Sequence, residues 1–247
     1  MTSSQSVTRL PDEKESFSVD ASEGPEQASA PSNAARAYNE IKQRILDNVY
    51  PVGATGSVQE LADALGISRT PIRDALIRLE EERLVALSPR HGFRVLPISA
   101  AEMIEIYQIV GALELLAIEL LIGRRLEPQV FTPLEAAVTA MEAALDSGDR
   151  DAWAQSDARF HQLIIALSGS TRLAQTVRQF LDQTRRVRDL TLHLRPAPEQ
   201  STKSHRALLT AIVAGDAPAA RELHHAQRQR SGTELAHILQ KLNIRHL

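Results

Sequence analysis

Two short helical patterns, joined by a glycine and followed by two strand patterns, constrain the fold of the first hundred residues most strongly. The first helix opens at Ser57 with a capping box and ends at Gly66. The second begins near Ser68 and carries apolar residues at i, i+3, i+4 and i+7. Strand patterns follow at 84–88 and 93–96, with a turn between them. This order predicts a winged helix-turn-helix over residues 36–98.

The start of the second helix carries side chains suited to contact with double-stranded DNA. Arg69 and Arg73 are four residues apart on one face, and arginine can bind guanine O6 and N7 with two hydrogen bonds. Thr70 is placed for contact with a phosphate or a thymine methyl group. Either Ser68 or Thr70 caps the helix, and Pro71 favours Thr70. The alternative is that these arginines only form a solvent-exposed face of the helix and contact no DNA.

The predicted turn between the strands would form the tip of the wing. Arg90 and His91 stand there, just before Gly92. Gly92 can adopt a positive φ and let the backbone approach a phosphate closely. Arg90 and His91 are equally compatible with a solvated turn.

The run from Leu61 to Leu76, Leu-Ala-Asp-Ala-Leu-Gly-Ile-Ser-Arg-Thr-Pro-Ile-Arg-Asp-Ala-Leu, resembles the GntR family of bacterial transcription regulators. The resemblance covers about residues 37–98 and implies contacts with operator DNA. Two positions depart from the family pattern, which usually has leucine at Gly56 and often has a DNA-contacting arginine at Gln59. Gln59 can still hydrogen-bond a base or phosphate, so we expect a changed operator sequence. The candidate DNA contacts are Gln59, Ser68, Arg69, Thr70, Arg73, Arg90, His91 and Gly92.

After Pro97 the whole sequence has helical periodicity. Six helical segments with short connections predict an antiparallel bundle over residues 99–247. They run over about 99–122, 132–146, 150–168, 171–192, 198–214 and 217–241. Aromatic residues make up only 4% of the chain, which favours helices over a β-sandwich. The predicted fold class is therefore mainly α: a winged helix-turn-helix followed by a six-helix bundle.

Composition excludes several other classes of protein. The absence of cysteine excludes disulfides, thiolate catalysis and cysteine-based zinc sites. We find no apolar run near the ~18–20 residues of a membrane span, and no apolar leader segment at the N-terminus. We therefore expect a cytoplasmic protein. Residues 1–35 contain six acidic and two basic residues and few large apolar ones, so we expect a disordered acidic tail there.

Acidic and histidine residues within the predicted bundle suggest a metal site. Asp157 and His161 are four residues apart on one helix, His205 lies on another, and His224 lies on the last. A carboxylate and imidazoles from three helices can bind a divalent cation such as zinc, nickel or manganese. The alternative is a buried polar network that holds the bundle together.

These residues also resemble the FCD ligand-binding domain of the FadR-type branch of the GntR family. Asp157 to His161 match its Asp-x-x-Phe-His signature, and Ser204 to Leu208 match the next one. Six helices rather than seven point to the VanR-like subgroup. The resemblance implies a metal held by Asp157, His161 and His205, a small-molecule effector, often a carboxylate, and a homodimer.

Two departures from this branch bear on the ligands. The last histidine ligand is expected where Gln227 stands, so His224, one turn earlier, becomes the candidate fourth ligand. Many members also have an effector-binding arginine where this chain has Val110. An effector carboxylate would then need another cation as its partner: the metal, Arg185 or Arg188. The amide of Gln227 could point at the metal or at the effector.

The sequence thus predicts a ligand-responsive transcription regulator and not an enzyme. We expect a repressor that leaves a pseudo-palindromic operator when the effector binds. A metal-dependent enzyme with a DNA-binding head is the alternative, although the proposed ligands have no evident general base beside them. A metal-free bundle that binds its effector by hydrogen bonds alone is a further possibility.

Overall fold

The computed structural model describes residues 32–88 and 92–242 of the 247-residue chain. Most of the predicted acidic tail falls on residues 1–31, which lie outside the described residues, as do residues 89–91 and 243–247. The described residues comprise a head, up to Ile98, and a helical bundle that follows it.

The head is a winged helix-turn-helix, as the sequence predicts. Its strands pair antiparallel in the spatial order β1-β3-β2, with Phe93 of β3 opposite both Gly56 and Leu87. The elements are α1 (Asn33–Leu46), β1 (Thr55–Gly56), α2 (Val58–Leu65), α3 (Arg69–Glu81), β2 (Val85–Ser88) and β3 (Gly92–Val95). The head has its own core, to which α1 and α3 contribute most of the fully buried side chains.

The ends of these helices agree with the capping signals in all but one case. Ser57 accepts from the Glu60 amide and Glu60 accepts from the Ser57 amide, which completes the predicted capping box. Gly66 ends α2 in the left-handed conformation. The preference for Thr70 as cap of α3 is wrong: Ser68 occupies the N-cap, with Pro71 the third helical residue.

Two boundaries in the head differ from the sequence prediction. Helix α1 begins at Asn33 and is capped by Ser32, so it starts before the predicted domain boundary at residue 36. Strand β1 was not predicted, because two residues are too short to show an alternating pattern.

Strand β1 depends on two glycines at which β1 and β3 approach each other closely. Gly92 has φ of +77°, and a Cβ there would lie 2.0 Å from the carbonyl oxygen of Gly56. A Cβ on Gly56 would lie 2.9 Å from the ring of Phe93. The departure from the family pattern at Gly56 therefore gives space for Phe93 to pack against the backbone of β1.

The bundle contains six α-helices among the described residues, and the predicted fold class is confirmed. Short 3-10 turns at Pro128–Phe131 and Leu192–Leu194 complete the connections. The helices are α4 (Ala100–Gly123), α5 (Thr132–Ser147), α6 (Arg150–Leu167), α7 (Thr171–Thr191), α8 (Glu199–Ala214) and α9 (Ala217–Lys241).

Helix α4 has the predicted length, but it contains a longer apolar segment than the sequence analysis allowed for. By length and composition alone it could cross a membrane, so the expectation that no segment reaches this length is wrong. One side of α4, including Met103, Ile118 and Leu121, is fully buried in the bundle core. The same helix carries a buried acidic residue, Glu114, at its centre.

Candidate functional site

The predicted DNA contacts of the head lie around one groove. Gln59 at the start of α2, Arg69 and Arg73 on α3, and Ser88 and Gly92 at the base of the wing line it together. Both arginines and Gln59 are exposed. The groove therefore presents donors from three elements on one side of the head.

The remaining predicted contacts have different positions. Ser68 and Thr70 are exposed at the start of α3. Gly92 packs against the backbone of Gly56 with a positive φ, so both its lack of a side chain and its conformation serve the sheet. Arg90 and His91 lie outside the described residues.

The charges on α3 are unequally distributed along the helix. At its C-terminal end, Glu82 accepts from the Tyr38 hydroxyl at 2.6 Å and pairs with Lys42 at 2.6 Å. Arg78 stacks on the ring of Tyr38, 3.7 Å from its centroid. Glu80 accepts from the Leu87 amide at 2.7 Å. These acids therefore serve the internal structure of the head, at the end of α3 away from Arg69.

Three side chains meet in the centre of the bundle, as the sequence predicts. Asp157 and His161 come from α6, and His205 comes from α8; all three are buried. His205 Nε2 lies 3.1 Å from Asp157 Oδ1 and 3.1 Å from His161 Nε2. His161 Nε2 lies 3.7 Å from Asp157 Oδ1. One ligand atom of each residue therefore faces a common point.

The outer nitrogens of the two imidazoles are held by other groups. His205 Nδ1 lies 2.7 Å from the Ser201 carbonyl oxygen, which can only accept, so this nitrogen carries the proton and Nε2 carries the lone pair. His161 Nδ1 lies 3.3 Å from Glu114 Oε1 and 2.8 Å from Arg228 Nη2. Because Arg228 can only donate, His161 Nδ1 accepts from it and Nε2 carries the proton. A metal ion on Nε2 would require this proton to move to Nδ1, where Glu114 Oε1 is placed to accept it. Such partners behind the ligands are typical of metal-binding histidines.

The spacing of these atoms fits a metal ion. Atoms bonded to one ion at ~2.0–2.2 Å lie roughly 2.9–3.5 Å apart. Two of the three separations fall in this range, and the third is slightly wider. Gln227 lies beside them, with its amide nitrogen 2.9 Å from His205 Nε2 and its Oε1 buried without a hydrogen-bond partner. The cluster therefore offers three ligands and one adjacent amide.

His224 does not join this cluster. Its Nε2 lies 3.2 Å from the Gly111 carbonyl oxygen and 3.6 Å from Glu114 Oε2. One turn of α9 separates His224 from Gln227, and only Gln227 contacts His205.

A buried ion pair that the sequence reading missed supports the cluster. Glu114 of α4 and Arg228 of α9 form two hydrogen bonds, each 2.5 Å long. Glu114 also faces both His161 and His224. A single acid inside the otherwise apolar stretch from Ile109 to Ile118 was the available signal.

Burial and charge set the protonation of these groups. Burial and the Arg228 charge hold the pKa of His161 well below its usual range. The same two causes lower the pKa of His224 to about 3. Burial alone would raise the pKa of Asp157, but the Arg188 guanidinium and the His205 hydrogen bond hold it well below its usual range. The cluster thus contains an ionised carboxylate and a neutral His161.

A cavity of about 250 Å³ opens beside Asp157, His161 and Gln227. Its wall has an excess of positive charge, since only Asp157 and Glu234 oppose five arginines. These are Arg150, Arg188, Arg195, Arg228 and Arg230. Concave sites with convergent polar groups are the usual small-molecule sites, and the many arginines here favour an anion.

The two arginines expected to bind an effector have different positions. Arg188 lines the cavity and forms an ion pair with Asp157 Oδ2. Arg185 is exposed and pairs with Asp47 at 3.0 Å and Asp189 at 3.5 Å. The structure therefore brings Arg188 to the cavity and does not bring Arg185 there.

Comparison with known families assigns both parts of the chain. Residues 33–95 match the family described as bacterial regulatory proteins, gntR family. Residues 105–228 match the FCD domain. The chain belongs to the GntR family and carries its FCD domain.

Relatives of this GntR protein are named as transcription regulators. A regulator from an Agrobacterium vitis intergenic region is 36% identical over 143 residues, 57% of this chain and 84% of the relative. The transcriptional repressor GlaR of Escherichia coli is 30% identical over 169 residues, 65% of this chain and 75% of the relative. The family and these names identify the class as transcription regulators.

A solved structure of E. coli McbR/YncC has the same fold as this GntR protein. The TM-score is 0.69 at 24% identity, over 83% of this chain and 98% of that one. The described bundle has six helices, the number from which the VanR-like subgroup was predicted. The subgroup itself stays a prediction.

Proposed function

We propose that the protein is a homodimeric repressor that binds operator DNA through the head and releases it when a small anionic effector enters the bundle. The observation that carries the DNA-binding part is the groove in which exposed Arg69 and Arg73 face the wing. It is continuous with the N-terminal turn of α3, the part of a recognition helix that meets base edges.

The proposed dimer forms through α4. Large apolar side chains on this helix are exposed, although single exposed hydrophobic residues elsewhere are ordinary. They are Ile104, Ile109, Leu116 and Leu120. Ile109, Leu116 and Leu120 share one face of the helix. A second copy packed on this face would bury them and hold two heads at a fixed separation, which calls for a pseudo-palindromic operator.

The proposed effector is a small carboxylate or a similar anion. The excess of arginine in the cavity wall supports an anionic ligand, and Arg188 and Arg228 both lie beside the proposed metal-binding cluster. Gln227, which also lines the cavity, would hydrogen-bond the effector or the metal.

The proposed cofactor is a divalent metal ion: zinc, nickel or manganese. Asp157 Oδ1 and the Nε2 atoms of His161 and His205 would hold it, and the ion would supply a Lewis-acidic point for the effector carboxylate. We do not assign the fourth position to His224, which faces Gly111 and Glu114.

We further propose that the protein acts in the cytoplasm, where it meets chromosomal DNA, and has no catalytic role. The charged groups nearest the cluster are already paired: Glu114 with Arg228, and Arg188 with Asp157 of the cluster itself. A metal-dependent hydrolase would need a free general base at this point.

The test of the DNA-binding function is Arg73→Ala, measured on a duplex selected by the wild-type protein from a randomised library. Loss of a bidentate base contact should weaken specific binding by about tenfold or more. Arg172→Ala, an exposed arginine on α7, is the control and keeps wild-type affinity. Wild-type affinity in Arg73→Ala, with the dimer intact, contradicts the proposed reading surface.

The test of the cofactor is the metal content of untagged protein by elemental mass spectrometry. We expect about one ion per chain in the wild type, lost in Asp157→Ala, because removing one of three ligands leaves only two imidazoles. The exposed neighbour variant His225→Ala keeps its metal. Absence of metal in fresh protein, with no uptake after addition, contradicts the metal proposal and favours an effector held by hydrogen bonds alone.

A further inference from the structure

Helix α7 has polar contacts at two places that are close together along its length. Arg188 faces the cavity and pairs with Asp157. Gln183 and Arg186 face the head. These three residues span five positions, or about 8 Å along a helix axis. A rigid helical segment of this length cannot move at one place without moving at the other.

The contacts with the head are made to backbone carbonyls at two structurally important points. Gln183 Nε2 donates to the Glu82 carbonyl at 2.9 Å, directly after the last residue of α3. Arg186 donates through Nη2 to the Leu96 carbonyl, directly after β3. Helix α7 of the bundle is therefore hydrogen-bonded to the residue after α3 and to the residue after β3, the last strand of the wing.

Two ion pairs reinforce this attachment through α1. Asp182 Oδ2 lies 2.7 Å from Lys42 Nζ, and Arg185 Nη2 lies 3.0 Å from Asp47 Oδ1. Arg185, which the sequence suggested for the effector, thus belongs to the attachment of the head.

The Arg186 guanidinium has fewer hydrogen-bond partners than it has donors. The side chain is buried, and its Nη1 has no hydrogen-bond partner. Burial also lowers the pKa of Arg186 to about 10. A buried guanidinium with so few partners depends on the Leu96 carbonyl, so a displacement of α7 that breaks this hydrogen bond costs free energy and weakens the attachment of the head.

At the cavity end, Arg188 has a partner that an anionic ligand can replace. The charge of Asp157 is also available to the two histidines and to a metal ion. A ligand carboxylate in the cavity would compete with Asp157 for the Arg188 guanidinium. Such competition changes the position that α7 prefers, which is the differential interaction that any ligand-driven shift requires.

We propose that α7 transmits occupancy of the cavity to the head, with Arg188 as the sensing residue and Gln183 and Arg186 as the positioning residues. This inference rests on the proposed repressor function. Release of Arg188 from Asp157 displaces α7 and weakens its hold on the ends of α3 and the wing. The reading surface then loses the orientation that fits the operator.

The experiment is a double-mutant cycle on operator affinity, and it needs no identified effector. Arg188→Met removes the sensing contact in the wild-type background and in a Gln183→Ala/Arg186→Met background. We expect Arg188→Met to weaken operator binding on the order of tenfold in the first background, the usual size of coupling between sites. In the second background the same change should have less than about a twofold effect, because the connection is already broken.

A matched background tests whether the positions, rather than the substitutions, matter. Gln179→Ala/Arg172→Met changes the same residue types at exposed positions of α7. There, Arg188→Met keeps its full effect. Arg188→Lys provides a second probe if Arg188→Met does not fold, since lysine keeps the charge beside Asp157 but loses the planar fork. The lysine variant should show the same background dependence at smaller amplitude.

Equal effects of the Arg188 substitutions in all backgrounds, or no effect in the wild type, overturn the inference. These outcomes differ from a failure of the proposed function. If the wild-type protein selects no duplex from the library, the repressor proposal itself is wrong. If it selects an operator and the cycle is additive, only the role of α7 is wrong.

Discussion

At the scale of single residues, local helical geometry determined which parts of the site were predictable. Arg69 and Arg73 are on one face because they are one turn apart, and the structure places both on the groove. Arg185 and Arg188 are also nearly one turn apart, but only Arg188 reaches the cavity. Sequence spacing gives the faces of a helix and not the neighbour that each face meets, so it could not choose between them.

Gly92 gives the sharpest prediction at this scale. Gly92→Ala places a Cβ 2.0 Å from the Gly56 carbonyl oxygen and keeps a strained positive φ. We expect a loss of more than about 2 kcal/mol in the free energy of unfolding of the head, because backbone must move. Urea unfolding followed by circular dichroism measures it.

Gly66→Ala is the matched control for Gly92→Ala. Gly66 also has a positive φ, of +62°, but nothing lies within 4 Å of a Cβ there. It should cost only the left-handed strain of about 1–2 kcal/mol. Equal losses in the two variants would show that the contact with Gly56 is unimportant.

At the scale of elements, the bounds of the helices followed from capping and periodicity, and the contacts between helices did not. The capping boxes at Ser57 and Ser99 were readable because each lies within four residues. Glu114 and Arg228 are separated by 114 positions. Only the packing of α4 against α9 brings them together, and an acid within an apolar segment does not identify its partner.

The burial of His224 beside Arg228 makes the stability of the protein depend on pH. Its folded pKa, about 3, is below the unfolded value near 6.5, so the unfolded chain binds the proton more readily between these values. Stability is therefore fully present above pH 6.5 and falls as the pH decreases, by at most about 1.4 kcal/mol per pH unit for this residue.

His224→Gln tests this dependence, because glutamine cannot titrate and can still donate to the Gly111 carbonyl. Urea unfolding at pH 7.5 and pH 5.0 should show a smaller acid loss in His224→Gln than in the wild type. The exposed neighbour variant His225→Gln should retain the wild-type loss. An unchanged acid loss in His224→Gln would contradict a neutral buried His224.

At the scale of the whole molecule, the predicted division into a head and a bundle agrees with the two matched families, residues 33–95 and 105–228. This division was predictable from the sequence because two strand patterns precede Pro97 and only helical periodicity follows it. It could not supply the attachment of the head to α7, which uses backbone carbonyls of Glu82 and Leu96 as acceptors. Every residue carries such an acceptor, so no sequence pattern marks these two.

Leu116→Glu tests the proposed dimer. Leu116 is 45% exposed on α4, and a charge there cannot be buried unpaired against a second copy. We expect a monomer by light scattering, with the helical circular dichroism spectrum retained. Leu190→Glu on α7, a position 49% exposed, should remain a dimer. A dimeric Leu116→Glu protein would exclude this face of α4 as the contact.

The backbone contact between Gly56 and Gly92 has a consequence for the speed and cost of operator recognition. It fastens the base of the wing to the segment that opens α2, so these parts of the reading surface are preorganised before DNA arrives. Binding then requires little loss of loop entropy, and more of the contact energy appears as affinity. A head with this rigidity should therefore bind best the operators whose shape matches its own, because it cannot change conformation to accommodate others.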